Sequence, residues 1–233
     1  MEKRIMIRVI TMSGPPSSVK TSVILRAVDH LRCDGVKTGV VKFDCMAAVD
    51  GLAYEKKNIP FKIGLSGNLC PDHFFVSNIE ECIQWGINAE LDILIIESAG
   101  LCNRCAPHIK DALAVCDIDC LSGVNTPLKV GPMLKLADIV VITKVDIVSQ
   151  AEREIFTFKV KQANPKALIM GINGVTGQGA AQLASKFSTA MAHQSMNGHM
   201  LRFSMPAAVC SYCLGETKIG EDHQRGYVRK MVW

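Results

Sequence analysis

Aromatic residues make up only 6% of this 233-residue chain. The 48% hydrophobic content is therefore mainly aliphatic, which suits buried parallel strands covered by helices. No stretch of about 18 uncharged apolar residues occurs, which argues against a membrane-spanning helix. The net charge is +4, yet there is no long basic run and no basic-aromatic stripe. Nothing therefore indicates a nucleic-acid partner. There is no internal repeat and no low-complexity tract. The first residues, MEKRIMIRVITMSG, hold an apolar run too short for a signal peptide and lack a cleavage site. These absences predict a cytoplasmic globular protein, with neither membrane nor nucleic acid as a partner.

Cysteine, by contrast, is abundant at ten residues. Thiols in a reducing compartment bind metal or do redox chemistry more often than they form disulfides. Cys33, Cys45, Cys82, Cys116 and Cys120 stand singly near apolar runs and are expected to be small buried hydrophobes. Cys102 with Cys105, and Cys210 with Cys213, form two C-x-x-C pairs.

The order of elements reads strand, turn, helix, and repeats. Strands are expected at 4–12, 36–44, 91–98, 112–124, 137–146 and 166–173, with helices at 21–33, 77–88, 150–164 and 177–194. Ser77, with Glu80 three residues on, is the expected N-cap of the second helix. FKIGL (61–65) is only a short apolar piece in a polar section. The alternation predicts an α/β fold: a mostly parallel sheet with helices on both faces and ligands at the carboxyl ends of the strands. Residues 1–190 form the expected nucleotide-binding domain. Residues 191–233 break the rhythm and read as a small irregular appendage.

The first strand runs into 14-GPPSSVKTS-22. The phosphate-loop pattern is G-x-x-x-x-G-K-[ST], and Gly14, Lys20 and Thr21 fit it. The loop residues Gly14, Pro15, Pro16, Ser17, Ser18, Val19, Lys20, Thr21 and Ser22 would surround phosphates at a helix start. All but the two prolines offer backbone N–H groups there. Lys20 would reach the terminal phosphates and Thr21 would hold Mg²⁺. Val19 occupies the position of the second glycine, and a β-branched residue resists the backbone angles glycine allows. The alternative is a strand-turn-helix corner that binds nothing. Three later features favour the phosphate site. Asp44 and Glu97 end the second and third strands, where carboxylates can serve Mg²⁺ or its water. In 143-TKVD-146, Asp146 can accept hydrogen bonds from guanine while the Lys144 stem covers the base.

With these residues in place, the chain resembles the metallochaperone GTPases: the urease accessory, hydrogenase nickel-incorporation and cobalamin-related GTPases. The resemblance spans about residues 4–190. It rests on the phosphate loop, on Glu97-Ser98-Ala99-Gly100 as E-x-x-G, and on TKVD. It also rests on 70-CPDH-73, which resembles the Cys-Pro-His motif of the urease accessory members with one residue inserted. The resemblance implies GTP (or ATP) with Mg²⁺, Lys20, Asp44 and Glu97 as catalytic residues, and Gly100 beside the nucleotide. It further implies weak GTPase activity, a homodimer, and a client metalloenzyme or cofactor-assembly protein.

Thiolates and imidazoles suit zinc, nickel or an iron–sulfur cluster. Cys102, Cys105 and His108 form one candidate ligand group, Cys210 and Cys213 a second, and Cys70 with His73 a third. The C-x-x-C pairs can join within one subunit or across a two-fold axis, or remain reduced thiols or a redox dithiol. Three functions are thus open: a nucleotide-dependent metallochaperone, an iron–sulfur ATPase that activates a partner, and a non-hydrolysing scaffold held by zinc.

Overall fold

The computed structural model describes residues 6–47, 51–100, 105–106, 108–203 and 215–232. Seven parallel strands form one sheet: β1 (Ile7–Ser13), β2 (Thr38–Asp44), β3 (Phe61–Leu65), β4 (Ile93–Ser98), β5 (Leu113–Asp119), β6 (Ile139–Thr143) and β7 (Leu168–Ile172). Their order is β3-β2-β4-β1-β5-β6-β7, and β8 (Ala192–His193) pairs antiparallel with β1. Helices α1 (Lys20–Cys33), α2 (Gly51–Lys56), α3 (Pro71–Asn88), α4 (Thr126–Lys129), α5 (Pro132–Lys135), α6 (Gln150–Ala163) and α7 (Ala180–Ser188) cover the faces. No helix among the described residues is long and apolar enough to cross a membrane.

Strand periodicity divides the core. Ile93 and Ile95 of β4 join the cluster under α1 and α7, with Val23, Ile24, Leu183 and Phe187. Leu94 and Ile96 join the cluster under α3, with Phe74, Phe75 and Ile83. Successive side chains on a strand point to opposite faces, so the aliphatic runs are buried on both sides. A third cluster packs β5 and β6 against α5 and α6.

Several expected elements differ from the structure: the final helix stops at Ser188, with Ala192–His193 forming β8 instead, and the fourth strand stops at Asp119. FKIGL is a full edge strand, paired with β2 from Phe61 to Leu65. Helix α3 begins at Pro71, with Cys70 at its N-cap, and Ser77 lies inside it, donating to the His73 carbonyl at 3.0 Å. Proline at the first helical position loses no intrahelical hydrogen bond, so CPDH opens a helix instead of forming a loop.

The described part of 191–233 does not stand apart. Met196, Leu201, Ile219 and Met231 are buried in the same cluster as α3. Asn78 Nδ2 donates to the Arg229 carbonyl, and the Met231 N–H donates to Asn78 Oδ1. His193 is buried and bonds the Asp111 carbonyl.

Candidate functional site

The carboxyl ends of β1, β2 and β4 surround a pocket of about 390 Å³. The phosphate loop lines it with Pro16, Ser17 and the run from Val19 to Ser22, and Lys42, Asp44, Glu97 and Ala99 complete the wall. Its floor depends on close backbone packing. A Cβ on Gly100 would sit 1.7 Å from the Gly14 carbonyl oxygen, and a Cβ on Gly14 would sit 2.1 Å from the Asp117 carbonyl oxygen. Only glycine fits at either position. The loop then turns sharply: Ser17 and Val19 both have positive φ, at 63° and 75°. A β-branched residue in that region is a strained exception. Val19 is nevertheless the N-cap of α1 and makes no side-chain cap, so no N-cap side chain satisfies the first N–H groups of this 14-residue helix, whose opening residues Lys20, Thr21 and Ser22 line the pocket. Its side chain is packed: a Cβ on Gly174 would lie 3.4 Å from Val19 Cγ1.

Lys20 is buried and donates to the Gly14 and Pro15 carbonyls, both at 3.0 Å. Burial lowers its pKa, while Glu97 and Asp117 pull it up. Thr21 Oγ1 donates to Glu97 Oε1 at 2.8 Å, and Tyr54 donates to Glu97 Oε2 at 2.7 Å. Asp44 lines the pocket, with its Oδ1 accepting the Cys45 N–H. A hydroxyl and two carboxylates are the oxygen donors Mg²⁺ takes. One unforeseen group intrudes on that set. Lys42 Nζ lies 3.1 Å from Glu97 Oε1 and 3.3 Å from Thr21 Oγ1.

On the base side, Lys144 has φ 57° and its ammonium is held by Asp119 at 2.5 Å. Asp146 is exposed in the following turn. Thr143 donates to the Ser18 carbonyl at 2.9 Å, which ties this strand end to the phosphate loop. Asp119 belongs to no motif in the sequence; its place at the end of the adjoining strand is the signal. Asp117 is fully buried with no hydrogen-bond partner of ordinary geometry among the described residues, and burial holds its carboxyl well above the usual range.

The other face carries the thiols. Cys70, Asp72 and Cys105 place one donor atom each within 4.8 Å of one another. Cys105 donates to Asp72 Oδ2 at 3.5 Å, while Asp72 Oδ1 has no partner among the described residues. The neighbouring Cys105 and the N–H groups opening α3 lower the Cys70 thiol to about 6, against burial. Burial and the Cys70 charge push Asp72 up to about 7. The Ser98 hydroxyl is near enough to favour the Asp72 carboxylate, though no hydrogen bond of ordinary geometry joins them. Asp72 is the residue inserted into the Cys-Pro-His pattern, and the structure gives it the place expected for His73.

His73 is instead buried beside Glu216, with Nε2 to Oε1 at 3.4 Å, and burial lowers its pKa. His108 is a second correction. It lies fully buried against β1, with Nδ1 3.0 Å from Thr11 Oγ1 and Nε2 3.0 Å from the Met133 carbonyl. Its ring nitrogens lie against Thr11, Ser13 and Met133, and it is not in the group that Cys70, Asp72 and Cys105 form. Cys102, Cys210 and Cys213 lie outside the described residues. Among the single cysteines, Cys82, Cys116 and Cys120 are buried as expected, but Cys33 is exposed and Cys45 half-buried.

The sequence profile of the "CobW/HypB/UreG, nucleotide-binding domain" matches residues 8–171, more than half of the chain. The chain belongs to the CobW/HypB/UreG family. A relative from Methanocaldococcus jannaschii, an uncharacterized protein, is 44% identical over 224 residues, covering 96% of each chain. Among solved structures, this CobW/HypB/UreG member is similar to the hydrogenase maturation factor HypB from Archaeoglobus fulgidus, with TM-score 0.60, 20% identity, and coverage of 77% and 88% of the two chains. It is also similar to HypB from Helicobacter pylori in complex with nickel, with TM-score 0.62, 20% identity, and coverage of 77% and 85%. At that identity the likeness carries the fold. The family places this chain among nucleotide-binding, metallochaperone-like proteins.

Proposed function

We propose that this protein is a nucleotide-dependent metallochaperone or metallocentre-assembly factor, with GTP as the favoured nucleotide. The observation that carries the reading is the division of labour at the end of β4. Glu97 points to the α1 face and bonds the phosphate-loop threonine. Ser98, one residue on, points to the α3 face beside Asp72. Alternation along one strand thus sets a wall residue of the candidate phosphate pocket next to a neighbour of the Cys70–Asp72–Cys105 group. A change at the phosphates can shift the thiol site through two residues of backbone.

Lys20, Thr21 and the α1 N-terminus would take the phosphates, with Glu97 orienting the attacking water. Lys144 and Asp146 would take the base, which favours guanine. Cys70, Asp72 and Cys105 would take zinc or nickel: two thiolates and a carboxylate suit either ion. Three protein donors leave a coordination position open, which suits transfer to a client. A symmetric homodimer would bring two such sets together. Slow hydrolysis would follow from the Val19 loop.

Calorimetric titration of the full chain with GTP and with ATP tests the reading. GTP is expected to bind more tightly than ATP, and Lys20→Ala to abolish binding. Failure of both nucleotides to bind overturns it.

A further inference from the structure

The cation arrangement in the phosphate pocket departs from what its oxygen donors imply. Thr21 Oγ1 and Glu97 Oε1 are 2.8 Å apart. A magnesium ion bound to the threonine hydroxyl would stand about 2.1 Å from that oxygen. Lys42 Nζ lies 3.3 Å from the same hydroxyl and 3.1 Å from the same carboxylate oxygen. An ammonium and a divalent cation directed at one oxygen pair compete for the same space and repel each other strongly in a buried setting.

Lys42 is enclosed beside this oxygen pair. It is only 5% exposed, and it is the direct register partner of Glu97 between β2 and β4. The strand pairing fixes its Cα opposite the glutamate, on the face that carries Val40 and Ile95 under α1. Glu97 is fixed in turn by Tyr54 on its other oxygen. Glu97, Asp44 and Lys20 are the charged groups that share this pocket with Lys42, and the Thr21 and Tyr54 hydroxyls bond Glu97. Lys20 adds a second positive charge, so the pocket already presents two ammonium groups to a polyphosphate.

We infer that Lys42 is a positioning residue acting as a tethered cation where a phosphate loop ordinarily uses Mg²⁺, so nucleotide affinity depends little on Mg²⁺. The inference rests on the reading that this pocket binds a nucleoside triphosphate. Lys42 holds the Thr21 hydroxyl and Glu97 in place, and supplies charge opposite the phosphates without a dissociable ion. A phosphate loop that relies on Mg²⁺ alone loses affinity steeply when the ion is chelated; this one would not.

The test is the dissociation constant for GTP, measured by calorimetry on the full chain in excess Mg²⁺ and in chelator. Wild type is expected to change less than about threefold. Lys42→Met is expected to lose about tenfold or more in chelator and to regain it with Mg²⁺. Mn²⁺ titrated into the GTP-loaded proteins, followed by electron paramagnetic resonance, is expected to bind Lys42→Met more tightly than wild type. A purely structural lysine would shift affinity equally with and without the ion. A loss of about tenfold or more in wild type on chelation overturns the inference, with no variant needed. Equal magnesium dependence in both proteins also overturns it, while the nucleotide site stands. No GTP binding in either buffer overturns the nucleotide site itself.

Discussion

Lys42 and Glu97 face each other across β2 and β4, and their charged ends meet at 3.1 Å with both side chains almost wholly buried. Removing one member of such a pair leaves the other charge uncompensated, at a cost of about 3–5 kcal/mol. Glu97→Met is therefore expected to lower unfolding free energy by roughly that amount. The Lys42→Met, Glu97→Met double variant should recover much of the loss. Urea denaturation of the four proteins measures both terms, and additive losses would contradict the pairing.

Val19 sits at φ 75° where phosphate loops ordinarily have glycine. Left-handed backbone costs an L-residue roughly 1–2 kcal/mol, and more when it is β-branched. Val19→Gly removes that strain but also removes packing against Gly174 and frees the unfolded chain. The expected change in stability is small, within about 1 kcal/mol. The expected change in GTP affinity is an increase, because backbone can approach the phosphates more closely. Calorimetry on the variant checks this, and weaker binding would contradict it.

The thiols divide into two groups by access and surroundings. Cys70 is half-buried with its pKa lowered, whereas Cys82 and Cys116 are buried with theirs raised. Iodoacetamide at neutral pH is expected to label Cys70 well before Cys82 or Cys116. One equivalent of Zn²⁺ or Ni²⁺ is expected to protect Cys70 and Cys105 together. Asp72→Asn should weaken that protection, since it removes the carboxylate from the donor set. Peptide mass mapping gives the site-by-site result.

His108 links stability to acid. Burial lowers its pKa to about 4, and it is held neutral between Thr11 and Met133. The unfolded histidine takes up a proton near pH 6.5, so between there and 4 the unfolded state binds more protons. Stability from this group is complete above about pH 6.5 and is lost as pH falls toward 4. The loss amounts to about 3 kcal/mol by pH 4. His108→Gln removes the titration, so the stability difference between wild type and variant should change across that window. Chemical denaturation at several pH values measures it, and a constant difference would contradict the assignment.

Most of the fold was legible in the sequence because strands buried on both faces are continuous aliphatic runs. The runs over β1, β2, β4 and β6 carried their own evidence. FKIGL in β3 did not, because an edge strand is half-exposed and short. The nucleotide motifs were legible because each lies within a few consecutive residues. The Cys70–Asp72–Cys105 group was not, because its third donor depends on which face of α3 meets Cys105. Asp72 and His73 are adjacent in sequence, yet a helix turns them about 100° apart. Lys42 was hidden for a related reason: its partner is 55 residues away and is set by strand register. His108 followed the cysteines in sequence but belongs to the core, because Thr11 and Ser13 of β1 hold it there.

On the proposed function, nucleotide and metal are coupled through Glu97 and Ser98. The most direct test of that coupling is the dissociation constant for Ni²⁺ or Zn²⁺ on the full chain, measured with and without saturating GTP. A change of about fivefold or more is expected, the size ordinary for two coupled sites. Ser98→Ala is expected to reduce that change while both ligands still bind. Equal metal affinity with and without GTP would contradict it.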